Sequence, residues 1–273
     1  MPELPEVETV KNGLLKKVKG KKIIKCRVLW DGIIAYPNPQ EFVSSIENQT
    51  INDITRRGKF LMFILDDYYL TSHLRMEGKY FIKDPTEPLS KHDHVIFTLD
   101  NNKELRYNDT RKFGKMHLVK KDELSKSPIS KLGKEPWDKD LNIEYLSEKL
   151  NKKKAIKTLL LDQSIITGIG NIYADEILFL SRINPEINGC DLSNKNLQDI
   201  IENTRNILSK AIELGGTTIH TYTAVDGITG RFQQELLVHG KKDSECPNCK
   251  TKIEKIVVNT RGTYYCPKCQ KRS

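Results

Sequence analysis

The sequence predicts an α+β multidomain chain: a strand-rich β-sandwich or barrel, then a helical bundle, then a small C-terminal β-hairpin finger. Three observations carry that prediction. At 273 residues the chain exceeds the roughly 100–200 residues that one hydrophobic core comfortably organises. Its first half holds β-branched and aromatic runs broken by turn dipeptides, whereas beyond about residue 140 apolar residues recur at helical spacing. Four of its six cysteines crowd into the segment from His239 to Ser273.

The chain opens with MPELPEVETV. Pro5 suits the first turn of a helix, Glu6 and Glu8 suit its positive end, and Val7, Val10, Leu14 and Val18 repeat on one face. Removal of Met1, usual before a small residue, makes Pro2 a terminal secondary amine and hence a nucleophile that no internal proline can be. An α-amino group titrates near about 7.7–8.0 and burial lowers that value, so a neutral fraction is available at cellular pH. Glu3 stands beside it as a proton shuttle. Taken alone, the same stretch also reads as an ordinary amphipathic helix with an acidic start.

Strand signals follow in IIKCRVLW, TINDITRRGKFLMFIL, YYLTSHLRMEGKYFI, HVIFTLD, KELRYNDT and GKMHLVK. The run KLGKEPWDKD, from about residue 131 to 140, has linker chemistry. IEYLSEKLNKKKAIKTLLLDQ, NIYADEILFLSRI and LQDIIENTRNILSKAIELGG then carry helical spacing. These changes divide the chain into residues 1–135, 136–235 and 236–273.

Composition narrows the partner. The chain carries 45 Lys plus Arg against 36 Asp plus Glu, a net +9, and residues 239–273 contribute nine basic and three acidic side chains. A basic tail points to a polyanion, and without an amphipathic anchor nucleic acid fits better than lipid. No apolar run approaches the ~20 residues of a membrane span, and the acidic N-terminus is unlike a signal peptide, so a cytoplasmic protein is expected.

The most specific local signal is Cys246-x2-Cys249, sixteen residues, then Cys266-x2-Cys269, the spacing of a four-thiolate zinc site. Two disulfides are the rival, disfavoured in a reducing compartment. Four thiolates leave no open position, so the Zn2+ is expected to be structural. Cys26 and Cys190, with no His or Cys partner, read as plain thiols. Between the cysteine pairs, IEKIVVNTRGTYYC reads as a hairpin whose Arg-Gly turn carries Arg261 at its tip, a guanidinium suited to phosphate. A second anion site is predicted at Thr167-Gly168-Ile169-Gly170-Asn171, where glycines before a helix let backbone N–H groups approach a phosphate and Asn171 caps the helix. Lys152, Lys153, Lys154 and Lys157 form a basic run on the preceding helix, read either as a solvated face or as backbone contacts.

Taken together, PELPEVETV, RRGKF, HLRMEGKY, KHDHV, NDTRKFG, GIGNIYADE, GGTTI and the CPNC and CPKC pairs resemble the formamidopyrimidine-DNA glycosylases, bacterial base-excision enzymes for oxidised purines. The resemblance spans essentially the whole chain. It implies an N-terminal β-sandwich flanked by helices, a helix-two-turn-helix module and a zinc finger, acting as a monomer on damaged duplex DNA bound between domains.

By the same resemblance, the Pro2 amine attacks C1′ of the damaged nucleotide, Glu3 is general acid and base, and Glu6 supports the terminus. Lys59 is the implied cation at the 3′ phosphate. Arg261 and Asn171 pinch phosphates, Arg261 also serving δ-elimination, while His92 and Lys152 are further DNA contacts and Lys157 is grouped with them. Met76, Arg111 and Phe113 are implied to fill the void left by the extruded nucleotide, although Met76 and Phe113 also read as core residues of a strand pair. Arg111 has donors only and so favours the O2 and N3 acceptors of an orphaned cytosine, which predicts 8-oxoguanine opposite cytosine as substrate, alongside abasic sites. A mobile lid over the base is expected from residues 217–233. His92 and His94 alternate along a strand, but a metal pair there lacks a third ligand.

Departures from the family pattern are His239-Gly240-Lys241 where Tyr-Gly-Arg is common, the spacer KKDSE before Cys246, and Lys112 within DTRKFG. Two alternatives stay open: an oxidised-pyrimidine glycosylase of the endonuclease VIII type, which more typically has Gly where Leu4 stands, and a non-catalytic zinc-finger DNA-binding protein.

Overall fold

The computed structural model describes residues 1–217 and 230–272. The chain divides into two units, residues 1–131 with 215–230, and residues 132–214 with 231–273. Among the described residues no helix is long and apolar enough to cross a membrane.

The first unit begins with α1 (Leu4–Val18), which carries Pro5 and Glu6 in its first turn as the sequence pattern requires and buries Val7, Val10, Leu14 and Val18. Next come β1 (Ile23–Val28), β2 (Ile34–Tyr36), α2 (Pro39–Ile46), β3 (Asp53–Arg57), β4 (Phe60–Ile64), β5 (Tyr68–His73), β6 (Lys79–Lys83), β7 (Asp93–Leu99), β8 (Glu104–Asn108) and β9 (Lys115–Lys120). The strands form a four-stranded sheet ordered β1-β7-β8-β6 and a five-stranded sheet ordered β2-β9-β5-β4-β3. Alternation along β4 turns Leu61 and Phe63 inward. Phe63 meets Tyr80 of the other sheet with ring centroids 5.7 Å apart, Tyr80 meets Tyr107 at 5.2 Å, and the Tyr80 hydroxyl bonds Ser72 Oγ at 2.8 Å. The two sheets thus close on one aromatic-rich core, the predicted sandwich.

The second unit holds α3 (Ile143–Leu150), α4 (Ile156–Leu160), α5 (Asn171–Leu180), α6 (Asn194–Glu213) and the hairpin β10 (Glu254–Val258) and β11 (Arg261–Tyr265). The predicted helical run over residues 143–163 is split. Leu150 ends α3, Lys152 to Lys154 lie in a turn, and α4 starts at Ile156, because the Ile156 N–H is taken by Ile187 O and Ala155 bridges Asn188. Lys152 is therefore a turn residue and not a helical one. A long-range partner has outcompeted local helix propensity.

Helix α5 is buried on nearly every face, from Ile172 to Phe179. Phe179 packs with Val238, Ile253, Cys246 and Cys266 in one apolar cluster that roots the finger on this helix. Polar anchoring comes from Glu176, 2% exposed, whose carboxylate accepts the N–H groups of Leu237 (2.8 Å), Val238 (3.0 Å) and His239 (2.8 Å). Burial raises the Glu176 pKa above the usual carboxylate range, and those three N–H groups oppose the shift without reversing it. Replacing Glu176 with Ala orphans three N–H donors, that of Val238 buried and those of Leu237 and His239 half-buried, so Glu176→Ala is expected to cost about 3 kcal/mol. A thermal melt checks this, with Tm falling by roughly 6–12 °C.

Candidate active site and nucleic-acid interface

Pro2 is buried at the start of α1 while Met1, 48% exposed, is accessible for removal. Glu3 is 2% exposed and Glu6 5%. One Glu6 oxygen accepts the Glu3 N–H at 2.8 Å; the other accepts the Thr217 N–H at 2.7 Å and its hydroxyl at 3.1 Å. A Cβ on Gly216 would lie 2.6 Å from that second oxygen, so the close approach, at φ +76°, requires glycine. Glu6 thus ties the first helical turn to the segment that returns to this unit from α6. Of the lid expected over residues 217–233, residues 218–229 lie outside the described residues.

Lys59 occupies the two-residue turn Gly58-Lys59 between β3 and β4 and is only 5% exposed. The turn is clamped to α1: Arg56 donates Nη1 to Gly58 O at 3.1 Å and Nε to Glu8 Oε2 at 2.8 Å. Burial works to raise the Glu8 pKa, but Lys11 and Arg56 outweigh it and hold that carboxyl below its ordinary range. Behind the turn, His73 stacks edge-on against Phe60 at 4.5 Å and accepts the Arg75 N–H at 2.9 Å. Burial, then the charges of Arg75 and Lys59, push His73 down to about 3. It stays neutral beside two cations.

Met76 is 38% and Phe113 50% exposed, and Arg111 is exposed as well, its guanidinium 4.8 Å from the Phe113 ring. The alternative that Met76 and Phe113 are core residues is thereby overturned. Buried Asp109 shapes their loop: Oδ1 accepts the Arg111 N–H at 3.0 Å and Oδ2 the Gly114 N–H at 2.8 Å. A hydrogen bond from the Thr110 hydroxyl to Glu77 joins this loop to the Met76 turn. An apolar side chain, a guanidinium and a ring are therefore exposed on two turns joined by a hydrogen bond. His92, part-buried, precedes β7, and its carbonyl accepts the Asp109 N–H at 3.0 Å.

In the second unit Gly170, not Asn171, is the helix cap, and Asn171 is the first residue of α5. Asn171 Nδ2 donates to Gly262 O at 2.9 Å, while its Oδ1 is buried with no hydrogen-bond partner among the described residues. The hairpin turn is Asn259-Thr260, both with positive φ, and exposed Arg261 opens β11 opposite Val258. The tip is thus Asn-Thr and not Arg-Gly: a two-residue turn with positive φ at both positions matches the strand twist. Asn171 and Arg261 are brought close through Gly262. Lys157 is not a surface cation as its place in the basic run suggests. It is 0% exposed, pairs with Asp175 and donates to Asn171 O at 3.0 Å, so its side chain supports Asn171 from within. Asp175 also receives His239 Nδ1 at 2.6 Å. This buried Lys157-Asp175-His239 chain was not legible in the sequence, where its members are separated and only α5's uniform hydrophobicity hints that its carboxylates are buried.

The sulfurs of Cys246, Cys249, Cys266 and Cys269 lie within 4.8 Å of one another. Tetrahedral zinc with bonds near 2.3 Å places sulfurs about 3.8 Å apart. The pairs Cys246–Cys269 at 3.9 Å and Cys249–Cys266 at 3.4 Å fit that cage. The finger therefore holds one structural Zn2+, with no side chain left over to open a catalytic position.

Two outcomes are expected. Neutral, buried His73 stabilises the fold above pH 6.5, and that stability is lost as pH falls from 6.5 towards 3, because the unfolded chain takes up the proton first. His73→Gln should flatten the decline of Tm between pH 6.5 and about 5. A strong chelator should release one equivalent of zinc, read with a colorimetric indicator, and lower Tm; Cys246→Ser should do the same while Cys190→Ser does not.

Three family models match in order: the formamidopyrimidine-DNA glycosylase N-terminal domain over residues 1–116, the H2TH domain of the same enzymes over 132–223, and a zinc finger found in FPG and IleRS over 243–272. The formamidopyrimidine-DNA glycosylase of Bacillus subtilis is 48% identical over 273 residues, covering 99% of each chain. A Lactococcus lactis FPG mutant in complex with a Fapy-dG containing DNA superposes with a TM-score of 0.93 at 40% identity, covering 99% of this chain and 100% of that one. The L. lactis protein with an abasic site containing DNA gives 0.93 at 41% with the same coverage. Matched from end to end in sequence, fold and finger, the chain belongs to the formamidopyrimidine-DNA glycosylase family.

Proposed function

We propose that this protein excises oxidised purines, 8-oxoguanine and formamidopyrimidines, from duplex DNA in the bacterial cytoplasm and then cleaves the strand, with the Pro2 amine as nucleophile. The observation that carries the reading is the arrangement of the first helical turn, where Pro2 and Glu3 are buried and Glu6 fixes the backbone between them and Thr217. A Pro2 nitrogen still bonded to Met1 is an amide with no available lone pair, so removal of Met1 is part of the mechanism. The free amine attacks C1′ as the bond to the base breaks, the base leaving with the bonding pair and a proton from Glu3. Glu3, now a carboxylate, takes the proton from the attacking nitrogen and delivers it to O4′ as the sugar ring opens, yielding an iminium that acidifies the C2′ proton. Its loss expels the 3′ phosphate, and a second elimination expels the 5′ phosphate. Lys59, held by the Gly58 turn, and Arg261, on the hairpin, neutralise the departing phosphates.

Reaching C1′ requires the nucleotide to leave the stack, at a cost of a few kcal/mol. The exposed trio Met76, Arg111 and Phe113 suits the vacated space. Arg111, a pure donor, pairs with the acceptors of cytosine better than with adenine, whose pairing edge also donates. His92, Lys152 and Asn171 act on the backbone, where affinity falls steeply with salt.

Borohydride should trap the processed enzyme covalently on duplex DNA holding 8-oxoguanine opposite cytosine, and trap it less on thymine glycol. Enzyme retaining Met1 or acetylated at Pro2 should give no adduct, as read by denaturing gel; undiminished trapping by the Met1-bearing protein refutes the proposal. Glu3→Gln should lower base excision by about 10²–10⁴-fold in single-turnover assays.

A further inference from the structure

The loop bearing Arg111 and Phe113 has a second support besides Asp109. Lys112, between them, has a left-handed backbone (φ 58°), and its ammonium sits 3.8 Å from the centroid of the Trp30 ring. Trp30 is 45% exposed, so the ring is not held by the core. What is fixed is the space it lies in and the backbone beside it. A Cβ on Gly32 would meet Trp30 Nε1 at 2.6 Å, so only glycine lets the indole lie over that turn, and Lys115 Nζ bonds Gly32 O. The Leu29 N–H donates to His94 O at 2.7 Å, and the His94 ring donates Nε2–H to Asp109 O at 2.8 Å. His94, 3% exposed, therefore ties the backbone beside Trp30 and the loop that carries Lys112 to a single residue.

We infer that Trp30 is a positioning residue for recognition of the base opposite the lesion: its ring seats Lys112 and so sets the aim of Arg111 and Phe113 on either side. The inference rests on the reading of Arg111 given above. An exposed cation–π contact corresponds to a factor of about two to five in an equilibrium. Aromatic character and not bulk is what the ammonium recognises, so a phenyl ring should serve and an aliphatic side chain should not.

The test is the ratio of single-turnover excision rates for 8-oxoguanine opposite cytosine and opposite adenine, each normalised to strand cleavage at an abasic site by the same preparation. Trp30→Ala and Trp30→Leu should narrow the ratio by about two- to fivefold, and Trp30→Phe should restore it. Lys112→Met should narrow it as much, and the Trp30→Ala/Lys112→Met double variant no further, since both remove one contact. A wild-type ratio in Trp30→Ala, equal loss in Trp30→Phe, or additive loss in the double variant overturns the inference. Absence of excision and of covalent trapping by the unaltered enzyme would instead overturn the proposed function.

Discussion

The Glu6 carboxylate is the interaction on which the placement of the first helical turn depends. A chain terminus is ordinarily the loosest part of a domain, because nothing beyond it restricts its motion. Here two oxygens accept three hydrogen bonds, one from the residue after Pro2 and two from Thr217, more than two hundred positions later. An α-amine is a useful nucleophile only when its position is fixed, since misplacement by an ångström is costly in rate. In the proposed mechanism, the capping geometry of an ordinary helix serves that purpose.

The same logic recurs at the other residues proposed to act on DNA. Met76, Arg111 and Phe113 lie outside the core, where side chains lack neighbours to order them, so the backbone beneath is fixed instead. Asp109 is fully buried and takes two loop N–H groups on its carboxylate. Lys59 is placed by Arg56 and Glu8, which bind its turn to α1. Buried or half-buried carboxylates thus organise the first helical turn, the Arg111 loop and the Lys59 turn, and a buried carboxylate persists only when its acceptors are satisfied.

In the second unit the finger is rooted by two unlike means. Zinc supplies covalent-like cross-links where the hairpin is too small for a core of its own, and Glu176 with the Phe179 cluster joins that hairpin's base to α5. The buried Lys157-Asp175 pair then holds the first residue of α5 from behind while Gly262 holds its side chain from in front. Asn171 is thereby oriented by both elements.

The sequence by itself determined the class of fold, the first helix, the strand-rich half and the zinc ligands, because each is written in short-range spacing: helical and strand periodicities, and Cys-x2-Cys pairs. Family resemblance carried the identity of the site. What only the tertiary structure decided was the environment of individual side chains. Lys152 and Lys157 stand in one basic run, yet one is exposed in a turn and the other fully buried, since Ile187 and Asn188 break the helix between them. Met76 and Phe113 have core composition but lie exposed, and Arg261 flanks a turn whose position strand pairing sets. The physical reason is range: periodicity reports which face a residue shares with neighbours a few positions away, whereas burial and charge pairing depend on partners that only the folded chain brings together.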